Sequence, residues 1–364
     1  MRARGLGAVL TAVAAAAALA GGGAQAQTSP QPQRPVYAPD GVVHVPAFDL
    51  PPSPYMSPQA VGILRMRSKM NISAVPSGGI AEARQGIERQ LAPQVAMMRA
   101  RYPADIVEQT IGGVRTRVVT PKGRDVDPRR ILVNLHGGAF SVCADACAIL
   151  ESLPIASIGG FKVITVDYRM GPEAVFPAAS EDVAAVYRQP LKSHKPSQIG
   201  IYGCSAGGAL SGETAAWLPA HGLPEPGAIG IFGAGAGRFG AGDSSYISGY
   251  VDGAFPPPPP PGAPPRTPPY RSYFEGADLG GPMVSPMLHL DVLAKFPPTL
   301  VITGTRAPDL SPAVFTHSQL IKAGASSQLI VGEGMSHCYM YMPDLPEAQD
   351  AYRTIVDFFR KNLS

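Results

Sequence analysis

An α/β protein with one mostly parallel sheet, covered by helices on both faces, is the fold this sequence predicts. Three observations predict it: short β-rich apolar runs recur from about residue 114 onward, helix-length segments separate them, and glycine-rich turns follow several of them. In such a sheet, chemistry lies beyond the carboxyl ends of the strands.

Residues 1–26 hold two arginines, an apolar stretch from Leu6 to Ala20 and then Ala24-Gln25-Ala26, the three regions of a secretory signal peptide. The apolar stretch falls short of the roughly 20 residues a bilayer crossing needs, and no later segment is longer. The expectation is an exported protein, periplasmic or extracellular, with no integral membrane anchor. Of the formal charge of +3, two units belong to Arg2 and Arg4 of this leader, so the remainder is nearly neutral. No basic patch points to nucleic acid or to an anionic membrane.

Residues 27–58 are dense in proline and should form an extended lead-in. Over 59–105, Ile63, Met66, Met70, Ile87, Leu91, Val95 and Met98 recur at helical spacing, which predicts two helices divided near VPSGG. The α/β domain should then occupy 106–364. Its strands are expected within VRTRVVTP, RRILVNLHGG, GFKVITVDYR, SQIGIYGCSAGG, GAIGIFGAGAG and PPTLVITGTR, with AASEDVAAVYRQ among the helices. An insertion at about 238–288 contains six consecutive prolines from Pro256, which suit a polyproline II rod and exclude a central strand.

The motifs fall at predicted strand ends. Gly203-Cys204-Ser205-Ala206-Gly207 is a G-x-S-x-G pattern between a strand and a helix, the context in which a tight turn presents a serine nucleophile. His136-Gly137-Gly138-Ala139-Phe140 ends another strand. Its backbone N–H groups can turn toward a developing oxyanion, making Gly137 and Gly138, with Ala206, the candidate oxyanion hole. His136 is expected to brace that loop rather than act as base. Late in the chain, the glycine-flanked loop VGEGMSHCYMY supplies His337 as general base, and VITGTRAPDLSPAV supplies Asp309 as the acid that orients it. A helix N-cap is the competing use of Asp309.

Together these stretches resemble the hormone-sensitive-lipase branch of the α/β-hydrolases over about residues 130–358. The resemblance rests on HGGAF, VDYRMGPEAVFPAASEDV, GCSAGG, PPTLVITGTR and EGMSHCY. It implies the α/β-hydrolase fold, an N-terminal helical cap, a Ser205-Asp309-His337 triad, and a carboxylesterase acting on small ester substrates with no cofactor. Two positions depart from the family pattern. Ala139 replaces the third glycine of the HGGG loop, which suits a residue with negative φ. The family's acid directly follows its strand, nearer Ala307 than Asp309. Asp167, Tyr168, Arg169, Glu173 and Asp182 are patterned but are expected to be structural.

Four cysteines, Cys143, Cys147, Cys204 and Cys338, suit disulfides in an exported chain. No metal site is expected, because the only close pair is C-x3-C without a histidine at ligand spacing. Cys204 precedes the nucleophile and Cys338 follows the base, so if Ser205 and His337 meet, their neighbours come within disulfide range. Cys143 and Cys147 would then pair with each other. This Cys-Ser, Asp, His-Cys order is similar to that of tannase and feruloyl-esterase type hydrolases. Two rival readings are a catalytically inactive hydrolase-like binding protein, favoured by the displaced acid alone, and a protein held to a partner by its proline rod.

Overall fold

The computed structural model describes residues 34–67, 79–237, 242–253, 255 and 273–364. The leader, most of the VPSGG break and the six prolines from Pro256 lie outside them. The described residues fall into two units, divided between Leu50 and Pro51. In the first, β1 (Val36–Tyr37) pairs antiparallel with β2 (Val43–His44), and both are exposed.

The second unit carries an eight-stranded sheet. Its strands are β3 (Ala104–Ile111), β4 (Val114–Pro121), β5 (Ile131–Leu135), β6 (Lys162–Val166), β7 (Ile199–Cys204), β8 (Ala228–Phe232), β9 (Thr299–Gly304) and β10 (Ser327–Gly332). Their order is β10-β9-β8-β7-β5-β6-β4-β3, parallel from β10 to β6 and antiparallel where β4 joins β6 and β3. Every residue of β5, β7, β8 and β9 is buried, as strands covered on both faces must be. At the margins, β10 alternates and β3 is largely exposed.

Two apolar layers follow from the two-residue period of the strands. Leu132, Val163, Tyr202, Phe232 and Ile302 face α3 (Ala146–Gly159) and α9 (Pro346–Asn362), meeting Leu150, Leu153, Ile355 and Phe359. The alternate residues Val133, Leu135, Ile164, Ile201 and Ile231 form the other layer, with Val183 of α4 (Ala178–Tyr187), Leu210 of α5 (Ala206–Ala220) and Leu320 of α8 (Leu310–Lys322). The shorter α6 (Asp243–Val251) and α7 (Leu290–Leu293) lie between β8 and β9 in the chain. Before the sheet come α1 (Pro58–Arg67) and α2 (Ile80–Arg101), one on each side of the expected break.

The connectivity creates the place for a site. From β5 the chain passes to β6 on one side, then returns to lay β7 on the other, pairing Leu135 with Gly203. Order therefore reverses between β5 and β7, and at such a switch point the loops leaving two adjacent strands diverge and open a crevice. The loop beginning at His136 and the turn at Ser205 are those two exits.

Helix α5 also buries Glu213, which is 1 % exposed and whose Oε2 has no partner among the described residues. Burial pushes its carboxyl well above the usual range. An unfolded glutamate ionises at about pH 4.3, so above that pH folding takes up a proton, and stability falls as pH rises toward the folded-state value. Glu213→Gln is expected to match the parent's Tm at about pH 4 and exceed it by several degrees at about pH 8. A Tm difference that stays constant between those pH values would contradict this assignment.

Candidate active site

Strand β7 ends at Cys204, α5 begins at Ala206, and Ser205 between them sits at φ 60° and ψ −122°. Few L-residues adopt that conformation, and it persists only where the surroundings impose it. The flanking glycines show how they do. A Cβ on Gly203 would stand 2.1 Å from the Leu135 carbonyl oxygen, and one on Gly207 only 1.7 Å from it. Backbone of β5 thus occupies the space side chains would need, while the Ser205 N–H donates to Phe232 O at 2.8 Å and pins the turn to β8.

His337 lies beyond β10, with its Nδ1 2.6 Å from Asp309 Oδ1. Asp309 is fully buried, and its Oδ2 accepts the Thr303 hydroxyl at 2.6 Å. It occupies the N-cap position of α8, yet its side chain makes no capping bond there. The carboxylate turns away from the helix and toward the imidazole, which removes the N-cap reading. The edge of the Phe255 ring packs against the imidazole, with centroids 5.1 Å apart.

The glycine loop departs from expectation twice. Gly137, a candidate oxyanion donor, already gives its N–H to Glu151 Oε1 at 2.8 Å, so it is not free to bind substrate. Ala139, expected at negative φ, adopts φ 53°, followed by Phe140 at φ 56°. That conformation costs an alanine roughly 1–2 kcal/mol. The N–H groups of Gly138, Ala139 and Ala206 have no acceptor among the described residues. His136 is buried, and its Nδ1 lies 2.7 Å from Gly137 O. Burial pushes its pKa down to about 4, so the ring is neutral and Nδ1–H donates. Since a trans peptide points N–H opposite to C=O, holding the Gly137 carbonyl also fixes where the Gly138 N–H points. Tyr168 stacks on the His136 ring at 4.2 Å and gives its hydroxyl to His136 O at 2.7 Å.

Both cysteine pairs are at bonding distance: Cys204 and Cys338 with S–S 2.06 Å and Cα–Cα 6.2 Å, Cys143 and Cys147 with S–S 2.14 Å. The first joins the residue before Ser205 to the residue after His337. Gly233 (φ 57°) lines it so closely that a Cβ there would fall 2.9 Å from both sulfurs and 3.3 Å from His337 Cε1. The bonded cysteines are 134 residues apart in one pair and 4 in the other. Loop-closure entropy then assigns about 5 kcal/mol to the long bridge and about 2 kcal/mol to the short one. Urea denaturation should show Cys204→Ala/Cys338→Ala losing more stability than Cys143→Ala/Cys147→Ala, and equal losses would refute that ordering.

Remaining patterned residues bind structure to structure. Arg169 Nε and its backbone N–H both donate to Asp182, while Glu173 pairs with Arg84 of α2. Arg84 also donates to the Ser141 and Gly171 carbonyls, and Glu88 of α2 accepts the Asp145 and Ala146 N–H groups at the start of α3. At the end of α1, Arg67 pairs with Asp252 and reaches Ser336, next to His337. Both early helices thereby grip the rim that carries the site. Among the described residues, no cluster of three or more His, Cys, Asp or Glu could hold a metal, and no helix is long and apolar enough to cross a membrane.

Sequence reasoning missed Glu151 and Gly233. Glu151 is the sole charged residue in the otherwise apolar run of α3, a signal that could have found it.

Comparison with known proteins gives the family. Residues 132–341 match the family model described as alpha/beta hydrolase fold. An acetyl-hydrolase of Streptomyces hygroscopicus is 29 % identical over 269 residues, covering 71 % of this chain and 83 % of that protein. Among solved structures, esterase E25 superposes with a TM-score of 0.75 at 29 % identity, covering 88 % of this chain and 99 % of its own. An esterase from the bacterial hormone-sensitive lipase family gives 0.67 at 25 % identity, covering 84 % and 97 %.

Proposed function

This chain belongs to the α/β-hydrolase family, and we propose that it is an exported serine carboxylesterase in which Ser205 is the nucleophile, His337 the general base and Asp309 the acid. Ser205 Oγ attacks the ester carbonyl while its proton passes to His337 Nε2. Asp309 holds the ring through Nδ1 and stabilises the imidazolium. Negative charge on the carbonyl oxygen meets the Gly138, Ala139 and Ala206 N–H groups. Collapse expels the alcohol with the proton from His337, and water, activated by the same base, then hydrolyses the acyl-serine.

The observation that carries this reading is the contact of His337 with the buried Asp309, on a loop bonded through Cys338 to the residue before the strained Ser205. It also weighs against the inactive-scaffold reading, which drew on the displaced acid alone. Acetyl and other short acyl esters are the proposed substrates, in keeping with the acetyl-hydrolase relative. Two disulfides favour an oxidising compartment and hence export. A fluorophosphonate probe should label the protein once, on the peptide containing Ser205. Absence of labelling, or labelling elsewhere, overturns the proposal.

A further inference from the structure

We propose that Glu151 is a positioning residue for ester hydrolysis, a buried carboxylate that holds the oxyanion loop, the strand end before the nucleophile and the segment after the base in one arrangement. This rests on the assignment of Ser205 and His337 above.

Glu151 is 7 % exposed and its carboxylate receives four donors. Oε1 accepts Gly137 N–H at 2.8 Å and the Tyr341 hydroxyl at 2.6 Å. Oε2 accepts Asn134 Nδ2 at 2.8 Å and Cys204 N–H at 3.1 Å. Asn134 is on β5, Gly137 on the oxyanion loop, Cys204 immediately before Ser205, and Tyr341 three residues after Cys338. Every acceptor position of the carboxylate is therefore filled, and each catalytic loop supplies a donor. Gly137 is held on both sides, its N–H by Glu151 and its carbonyl by His136. The first bond fixes the peptide plane entering Gly137 and the second the plane leaving it, which carries the Gly138 N–H.

No cationic side chain contacts the carboxylate among the described residues, so its charge is carried by these dipoles alone. Burial pushes the group up to about 7, against the opposing effect of the Tyr341, Asn134, Gly137 and Cys204 bonds. The titratable groups around it are Tyr341, Tyr202, whose hydroxyl donates to the Glu151 carbonyl, Tyr168 and neutral His136. A proton on either oxygen would face two donors already aimed at it. On Oε2 the Asn134 amide or the Cys204 N–H must then give way, and on Oε1 the Tyr341 hydroxyl must turn from donor to acceptor or the Gly137 N–H must yield, so in each case the four-donor arrangement that ties the loops is altered. Ester turnover should accordingly weaken as pH falls through the range in which Glu151 protonates.

Glu151→Gln places an NH₂ where two donors point. With a short p-nitrophenyl ester, kcat should fall on the order of 10- to 100-fold, as expected for misplaced catalytic groups, with KM within about twofold. The acid limb of kcat should also lose the Glu151 ionisation. Tyr341→Phe removes a bond that lowers the Glu151 pKa, so it should move the acid limb to higher pH. A merely structural role would change Tm and leave both limbs in place. Folded Glu151→Gln with the parent's kcat and pH profile overturns the proposal. If that variant fails to fold, the Tyr341→Phe profile decides: an upward shift supports the role, and an unmoved limb overturns it. Ser205→Ala, measured alongside, separates the two levels. Turnover retained there removes the serine mechanism itself, whereas its loss, combined with normal Glu151→Gln, removes only the role of Glu151.

Discussion

Ser205→Ala is expected to lower kcat/KM for a short p-nitrophenyl ester by up to a million-fold, the order seen when a triad nucleophile is removed. The size of the effect follows from what nothing else nearby can replace. Cys204, the adjacent potential nucleophile, has its sulfur in the bond to Cys338. Thr303 uses its hydroxyl on Asp309. The φ 60° conformation of Ser205 is the strained turn expected of a serine that presents its Oγ at a strand-to-helix junction. Folding should be unaffected: alanine is smaller, and the Ser205 N–H bond to Phe232 O is a backbone bond. Residual activity should exceed that of buffer, since the oxyanion donors and the His337–Asp309 pair remain. A purified variant with kcat/KM within a hundredfold of the parent's would sink the serine mechanism.

What could be read beforehand divides along physical lines. Strands β5, β7, β8 and β9 were visible because burial on both faces writes a near-continuous apolar run. By contrast, β3, as ADIVEQTI, is half polar along an exposed edge, and only pairing with β4 makes it a strand. Ser205, His337 and Asp309 could be proposed because they follow predicted strands, two of them in glycine-framed turns, and the chemistry demands a fixed order. The oxyanion loop was only half legible. Which N–H is free depends on a partner 14 residues away on another element, and Glu151 leaves no local mark at Gly137. Ala139 shows the same limit: a family glycine replaced by alanine suggests relaxed geometry, whereas the loop keeps its positive φ and tolerates the strain. Contacts across the sheet's end decide these points, and spacing along the chain does not encode them.

Asp309→Asn should cost on the order of 10⁴-fold in kcat, about 5 kcal/mol, with little change in KM. Thr303 decides how the substituted amide settles. Oδ1 of the native carboxylate faces His337 Nδ1 and Oδ2 faces the Thr303 hydroxyl, both at 2.6 Å. An asparagine can settle in either of two ways. If its NH₂ faces His337, the ring must accept at Nδ1, which puts the proton on Nε2 and leaves no base toward Ser205. If its carbonyl faces His337, the tautomer is kept, because a threonine hydroxyl can accept from the NH₂ as readily as it can donate. The charge that stabilises imidazolium in this dry pocket is still lost. Adding Thr303→Val separates these outcomes. It removes the acceptor that lets the amide keep its carbonyl toward the ring, so the double variant should be slower than Asp309→Asn alone if the second arrangement dominates and equal to it if the first does. Either result leaves Asp309 as the acid. An Asp309→Asn enzyme within tenfold of the parent would show that the carboxylate at the head of α8 is not the one His337 depends on.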